Sequence, residues 1–292
     1  MMSVWSAVFP QEIEQNQHAD IRSTDPSEEL FVPYATAPDD TRIYYETYGD
    51  GAPVLFIHGG GGNTICWYQQ VPFFAGKYKV IVMDLRGFKN SPCAPEGNHP
   101  RHYPADVLAI LDQEGIGKVN LVCQSLGAWA GLPLAVKQPE RVQTLFISGS
   151  PTPAYSPETW EILRKAGKTF DDGRHDLRSK SSGWNRKNVE ARPEMLHLYG
   201  CIKALNPKGF LALTMQADDV KIHPSELAGY RVPTLMTGGS HDDFLTPESH
   251  HLVAELLPGS QKYTFEESGH SPYFETADEF NRVVLEFLDA HN

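Results

Sequence analysis

Short, continuous apolar runs recur along the chain, without the alternation of a strand that faces water on one side. Such runs are typical of strands buried on both faces of a parallel sheet. Stretches with helical periodicity separate several of them, and this order predicts an α/β domain with right-handed crossovers. The runs predicted as buried strands are residues 53–57, 79–83, 119–123, 142–148 and 234–237.

The patterns at both ends of this region complete the expected domain. Residues 31–35 and 42–48 flank the turn-forming stretch 38–41 and predict an antiparallel hairpin ahead of the parallel strands. Residues 276–290 carry apolar side chains at the spacing of an amphipathic helix that closes the domain. Residues 1–30 are polar and acidic without clear periodicity, and we predict that they form an N-terminal extension.

The alternation of predicted strands and helices is interrupted between residues 151 and 230. This stretch is rich in Trp, Gly, Pro and charged residues, and it contains no convincing buried strand. Helix-like pieces occur at 158–165 and 190–205. We therefore predict a helical cap over one end of the sheet, inserted into a core made of residues 31–150 and 231–292.

Composition narrows the class of protein. The 292 residues, of which 40% are hydrophobic, suffice for one large α/β domain. The formal net charge of −12 argues against a nucleic-acid or anionic-membrane partner, because phosphate contact needs clustered Lys and Arg. No apolar run is long enough to span a bilayer. The four cysteines are scattered, as reduced thiols usually are, so a cytoplasmic protein is expected.

Ser125 is the candidate nucleophile, because it follows the run 119–123 and precedes a helix-like stretch of small residues. In a nucleophile elbow the serine sits on a strained turn, which requires small residues two positions before and after it. Gly127 meets this requirement, whereas Cys123 stands where the usual pattern has glycine. Taken alone, the segment also fits a serine that caps a helix, so it needs support from elsewhere.

A run of glycines at positions 59–62 follows the first buried strand and supplies part of that support. Consecutive glycines let a backbone N–H approach a ligand with no side chain intervening. We predict that Gly60, with Gly61 as the next choice, donates to an oxyanion together with the N–H of Leu126. A phosphate-binding loop fits less well, because no Gly-Lys-Ser or Gly-Lys-Thr follows.

The acid and the base are expected in loops after later strands. Asp242 follows the run 234–237 and a glycine turn, and Asp243 remains an alternative because one residue of register separates them. His270 lies in a glycine-containing loop before the closing helix, whereas the other histidines, including His250, are expected at the surface or in loops. The order Ser, Asp, His along the chain is that of the G-x-S-x-G hydrolases. These residues predict a triad that needs no metal or organic cofactor.

With these residues in place, the chain resembles the α/β-hydrolase superfamily over most of its length. The resemblance implies a mostly parallel central sheet flanked by helices, with a helical cap insertion. It carries the catalytic roles onto Ser125, His270 and Asp242. A serine at the elbow argues against the haloalkane dehalogenases and epoxide hydrolases of this fold, which use aspartate there. The likeness rests on His58-Gly59, Asp84-Leu85-Arg86-Gly87-Phe88 followed by Ser91, the Ser125 elbow, Gly239 to Asp242, and Gly269-His270.

The expected function is cleavage of a carboxylic ester of a small, partly apolar molecule through an acyl-enzyme. Carbon–carbon bond hydrolysis and lactone hydrolysis on the same triad are alternatives. An alternative of another class is a small-ligand receptor that retains the triad without turnover. Trp67, Trp160 and Trp184 are the predicted substrate contacts, because aromatic side chains commonly line apolar ligand pockets.

Overall fold

The computed structural model describes residues 33–170, 183–207 and 215–291, so the predicted extension at 1–30 lies outside the described residues. The strands of the described part form one sheet. They are β1 Tyr34–Thr36, β2 Arg42–Tyr48, β3 Ala52–Ile57, β4 Tyr78–Met83, β5 Val119–Gln124, β6 Val142–Ser148, β7 Thr234–Gly239 and β8 Gln261–Phe265. Their spatial order is β1-β2-β4-β3-β5-β6-β7-β8.

The sheet is antiparallel at one end and parallel elsewhere. β1 and β2 form the predicted hairpin, and β2 pairs antiparallel with β4. Every further neighbouring pair, from β4 to β8, is parallel. The carboxyl ends of the parallel strands therefore lie at one edge of the sheet, where ligands bind in folds of this type. The predicted fold class is confirmed.

Helices cover both faces of this sheet, which explains why the strands are continuously apolar. In β5, Leu121 and Cys123 join a cluster with side chains of the helices that begin at Tyr103, Ala128 and Pro247. Val122, which points to the other face, joins a cluster with side chains of the helices that begin at Val71, Pro272 and Ala277. These helices are α1 Val71–Phe74, α2 Tyr103–Gln113, α3 Ala128–Lys137, α8 Pro247–Leu256, α9 Pro272–Glu275 and α10 Ala277–Asp289.

In the described part of 151–230 the chain is helical and adds no strand to the sheet. Its one β contact is an isolated bridge between Ala154 and Ile222. The predicted helix at 190–205 is divided in two, because Pro193 begins a new helix and forces Arg192 out of the helical conformation. The helices here are α4 Pro157–Phe170, α5 Arg186–Ala191, α6 Pro193–Ala204 and α7 Pro224–Leu227. The division into core and cap stays a prediction.

Two expectations drawn from composition can be compared with the described ranges. Within them, no helix has the length and apolar character that crossing a membrane requires. All four cysteines lie in the described ranges, and their thiols are free. The expected cytoplasmic location stays a prediction.

Candidate active site

Ser125 lies at the carboxyl end of β5, on a backbone that few side chains adopt. Its φ is +49°, in the left-handed region, and such strain is typical of nucleophile elbows. A short 3-10 turn, Ser125–Gly127, leads from the strand into α3. The serine is 8% exposed, and Leu126 follows it in the first turn, where backbone N–H groups have no partner within the helix. This geometry places a largely buried hydroxyl beside an available N–H donor.

Cys123 departs from the usual elbow pattern, and the facing helix accommodates it. A Cβ atom at Gly131 of α3 would lie 2.4 Å from the Cys123 Sγ, so the sulfur occupies space that glycine leaves open. Burial raises the pKa of the Cys123 thiol, which therefore stays protonated and unreactive. Glycine at position 131 of α3 thus makes room for the cysteine that stands at position 123 of the elbow.

The glycine loop after β3 comes directly against the elbow. A Cβ atom at Gly59 would lie 2.9 Å from the Ser125 Cβ and 1.9 Å from the Gln124 Oε1, so this approach requires glycine. The loop turns back on itself, with the Gly62 N–H donating to the Gly59 carbonyl at 3.0 Å. Gly60 is partly exposed at this turn. The structure thus brings the predicted oxyanion loop to the serine, and the donor role of Gly60 stays a prediction.

Asp242 and His270 meet across the loops that follow β7 and β8. The Asp242 Oδ2 lies 2.7 Å from the His270 Nδ1. The other carboxylate oxygen accepts the backbone N–H groups of Phe244 and Leu245, each at 2.9 Å. Asp242 is 2% exposed, whereas Asp243 lies at the surface. Of the two candidate acids, Asp242 is therefore the one that contacts the histidine.

The surroundings of His270 favour its charged form. Burial lowers the pKa of the imidazole, but the Asp242 charge and hydrogen bond, together with the Glu275 charge, outweigh burial and raise it. With Nδ1 held by Asp242, Nε2 is the ring nitrogen that can exchange a proton with a substrate or a serine. The Gln124 Nε2 donates to the His270 carbonyl at 3.3 Å, which joins the residue before Ser125 to the histidine loop.

An apolar pocket adjoins Ser125. It encloses about 290 Å³ of empty space, part of it open to solvent. The Phe244 ring that borders it also packs edge-on against the His270 ring, with centroids 5.2 Å apart. Among the described residues that line the pocket, none carries a charge. They are Ser125, Trp129, Pro151, Leu163, Ala166, Met215, Phe244 and Leu245.

None of the three tryptophans predicted as substrate contacts is in the lining of this pocket. The structure corrects the prediction for Trp67, whereas Trp160 and Trp184 stay predictions. Trp67 is fully buried in the core, with its ring centroid 4.6 Å from that of Tyr273. Trp160 and Trp184 make edge-to-face contacts with neighbouring tyrosine rings and are absent from the described pocket lining. The tryptophan that lines the pocket is Trp129, one helical turn beyond Ser125. That spacing is the signal that could have found it, because residues one turn apart share a helix face.

His250 is also placed differently from the prediction. It lies in α8 and is buried, with its ring against Gly238, where a Cβ atom would be 1.9 Å from the His250 Nε2. Burial lowers the pKa of this imidazole to about 4, and the nearby Asp242 charge offsets only part of that effect. Within the described ranges, no group of three or more His, Cys, Asp or Glu side chains is arranged to hold a metal ion.

The topology and the loops at the carboxyl edge of the sheet define the class as an α/β-hydrolase fold. A family model described as alpha/beta hydrolase fold matches residues 52–277. The chain belongs to this family, and it is a hydrolase of the α/β-hydrolase superfamily.

Similar curated proteins are named as hydrolases of 2-hydroxy-6-oxo dienoates and related compounds. A 2-hydroxy-6-oxononadienedioate/2-hydroxy-6-oxononatrienedioate hydrolase from Pseudomonas putida is 26% identical over 273 residues, covering 85% of this chain and 92% of that protein. A 2-hydroxy-6-oxo-6-phenylhexa-2,4-dienoate hydrolase from Burkholderia cepacia is 28% identical over 271 residues, covering 85% and 91%. Both likenesses span nearly the whole length of the relatives.

Similar solved structures include lactone-cleaving proteins. An N-acyl homoserine lactone degrading enzyme is 27% identical, with a TM-score of 0.72, and the match covers 87% of this chain and 100% of that one. An enol-lactonase from Burkholderia xenovorans is 25% identical, with a TM-score of 0.72, covering 88% and 100%. Relatives of this chain thus differ in the substrates for which they are named.

Proposed function

We propose that the protein is a serine hydrolase that cleaves a neutral ester or lactone with a small, partly apolar acyl group. The observation that carries the proposal is the apolar pocket beside Ser125, whose described lining is uncharged. The Asp242–His270 pair lies at the same edge of the sheet, and Phe244 contacts both the pocket and the histidine ring. A nucleophile, a base with its orienting acid and an apolar pocket are the parts that acyl transfer needs.

In the first half of the proposed reaction, the Ser125 Oγ adds to the carbonyl carbon while the His270 Nε2 takes the hydroxyl proton. Asp242 holds the imidazole in the tautomer that presents Nε2, and it stabilises the imidazolium that forms. The N–H groups of Leu126 and Gly60 stabilise the oxyanion, and each such donor contributes roughly 3 kcal/mol in related sites. The tetrahedral intermediate then loses its alkoxide, which takes the proton from His270.

In the second half, His270 takes a proton from water as the water oxygen adds to the acyl carbonyl of the acyl-enzyme. The bond between that carbonyl carbon and the Ser125 Oγ then breaks, and His270 returns the proton to the serine. The products of an ester are a carboxylic acid and an alcohol. A lactone gives both groups in one hydroxy acid.

The pocket lining is the reason for proposing a neutral acyl group. A carboxylate placed against Trp129, Leu163 and Phe244 would lose its water without gaining a charged partner among the described residues, which is strongly unfavourable. An alkyl or aromatic group gains about 25 cal/mol for each Å² of apolar surface that it buries there.

A second candidate is carbon–carbon bond hydrolysis, which the names of the curated relatives favour. The same triad would attack a ketone carbonyl, and the leaving group would be a carbanion that is protonated on carbon. The substrates in those names are carboxylates. On this protein the carboxylate would have to lie outside the apolar pocket lined by the described residues.

The test compares p-nitrophenyl acetate and butyrate, an N-acyl homoserine lactone, an enol-lactone and 2-hydroxy-6-oxo-6-phenylhexa-2,4-dienoate under identical conditions. We expect the largest kcat/KM on an ester or a lactone. Ser125→Ala should abolish that turnover, whereas Ser225→Ala, at an exposed serine, should leave it unchanged. A larger kcat/KM on the dienoate would replace the proposal with the carbon–carbon reaction. Tight binding of a small molecule without turnover on any substrate would replace it with a receptor.

A further inference from the structure

Glu275 is a buried carboxylate beside the catalytic histidine that the proposed mechanism does not use. It ends α9, shortly after His270 in the chain, and it is 2% exposed. Removing an ionised carboxylate from water is strongly unfavourable unless hydrogen bonds or opposite charges compensate it. The groups that donate hydrogen bonds to the Glu275 carboxylate therefore indicate which parts of the chain it holds in place.

Both carboxylate oxygens accept hydrogen bonds from two directions. Oε1 accepts the backbone N–H groups of Gly269 at 3.1 Å and Ser271 at 3.3 Å, on either side of the histidine. Oε2 accepts the backbone N–H of Asn185 at 2.9 Å and the side-chain Nδ2 of Asn188 at 3.3 Å. Burial raises the pKa of Glu275, and the hydrogen bonds from Asn185, Gly269, Asn188 and Ser271 oppose that rise. All four donors favour the ionised carboxylate, which has acceptors on both oxygens and no donor.

Further hydrogen bonds join the chain around Asn185 to the loop that contains His270. The His270 backbone N–H donates to the Gly183 carbonyl. The side-chain Nδ2 atoms of Asn185 and Asn188 donate to the Glu267 carbonyl at 2.9 and 2.7 Å. Residues 183–188, in the predicted cap, and residues 267–271, in the histidine loop, therefore form one hydrogen-bonded unit with Glu275 inside it.

The charge of Glu275 also acts on the histidine. Burial lowers the pKa of His270, and the charges of Asp242 and Glu275 raise it. His250 is a further titratable group that interacts with Asp242 and His270. It is neutral above pH 5, because burial lowers its pKa to about 4. The nearest cation to Glu275 among its hydrogen-bond partners is Arg192, whose Nη2 donates to the Glu275 carbonyl. Glu275 and Asp242 are thus the negative charges that His270 experiences here.

We infer that Glu275 is a positioning residue for the proposed hydrolysis. It fixes the backbone on both sides of His270 and binds it to residues 183–188, so that the histidine and this part of the predicted cap keep one relative position. The inference rests on the proposed function only in that His270 is the base. A displacement of the cap segment would then be transmitted to the imidazole through the carboxylate.

Glu275→Gln tests the inference, because the amide keeps the shape but has one acceptor oxygen and an NH₂ group that faces two of the N–H donors. We expect kcat/KM to fall on the order of 10- to 100-fold, mostly in kcat, since small displacements of a catalytic group have effects of this size. The acid limb of the pH profile should move to lower pH, because the histidine loses a neighbouring negative charge. Glu275→Asp should restore the limb, and Glu266→Gln, at an exposed carboxylate of the same loop, should change neither.

An NMR titration of the His270 ring gives a readout that needs no activity, so the two proposals can fail separately. Wild-type protein without turnover on any substrate contradicts the proposed function, while a lower His270 pKa in folded Glu275→Gln still supports the positioning role. If that variant does not fold, Asn188→Ala removes one donor and keeps the charge. It should then lower kcat without moving the acid limb. A folded Glu275→Gln protein with wild-type kcat and pH profile, or an Asn188→Ala protein with wild-type kcat, overturns the inference.

Discussion

Replacing Gly131 by alanine tests how closely the nucleophile elbow is packed. The new Cβ atom would lie 2.4 Å from the Cys123 Sγ and 2.9 Å from the Leu145 Cδ1, closer than non-bonded atoms approach. Overpacking of this kind costs about 1–3 kcal/mol of stability. Alanine in a helix also stabilises by about 0.5–1 kcal/mol relative to glycine. The net expectation in the wild-type background is a loss of up to about 2.5 kcal/mol.

Removing the sulfur should reverse the sign of this effect. In a Cys123→Ala background the nearest atom of residue 123 to the new methyl group is its Cβ, at 3.7 Å, which is an ordinary contact. The Leu145 Cδ1 stays 2.9 Å away, but it is the end of a flexible side chain that can turn into the space left by the sulfur. Gly131→Ala should then stabilise the protein by up to about 1 kcal/mol through helix propensity. Helix propensity cancels between the two backgrounds, so the coupling equals the overpacking cost of about 1–3 kcal/mol, within the range for residues in contact.

Urea unfolding of the wild type, both single variants and the double variant measures the coupling, provided that the m-value stays constant. Gly200→Ala is the matched control, because Gly200 is a helical glycine of α6 with open space around it. It should stabilise both backgrounds equally. Equal effects of Gly131→Ala with and without the sulfur would falsify the account of the elbow given above.

Two further predictions concern the triad and its surroundings. Asp242→Asn should lower kcat on the order of 10³- to 10⁴-fold by disfavouring the required histidine tautomer, whereas Asp243→Asn should leave steady-state kinetics unchanged; the opposite pattern would reassign the acid. His250 has an unfolded-state pKa near 6.5 and a folded-state pKa of about 4. Its contribution to the free energy of unfolding is therefore fully present above pH 6.5 and is lost as the pH falls toward 4. The difference amounts to about 3 kcal/mol by pH 4, measured by urea unfolding. His250→Asn should flatten this dependence and His251→Asn, at an exposed position, should not; equal pH dependence in wild type and His250→Asn would contradict the assignment.

The amino-acid sequence alone determined the sheet and the loops that carry the proposed catalytic residues. Residues 142–148 form β6 with the predicted bounds, and the strand predicted at 119–123 extends by one residue as β5. These strands are recognisable because both of their faces are buried, so most of their side chains are apolar. Ser125, Asp242 and His270 could be proposed from sequence because each follows a strand that ends at the same edge of the sheet.

Only the tertiary structure decided which side chains meet at that edge. Asp242 and Asp243 follow the same strand, and the choice depends on how the β7 and β8 loops pack together. Trp129 lines the pocket and Trp67 lies in the core, although both are tryptophans near catalytic loops. Glu275 meets Asn185 because residues far apart in the chain converge there. Local patterns report which residues belong to a strand or helix, whereas contacts between loops depend on packing across the whole domain.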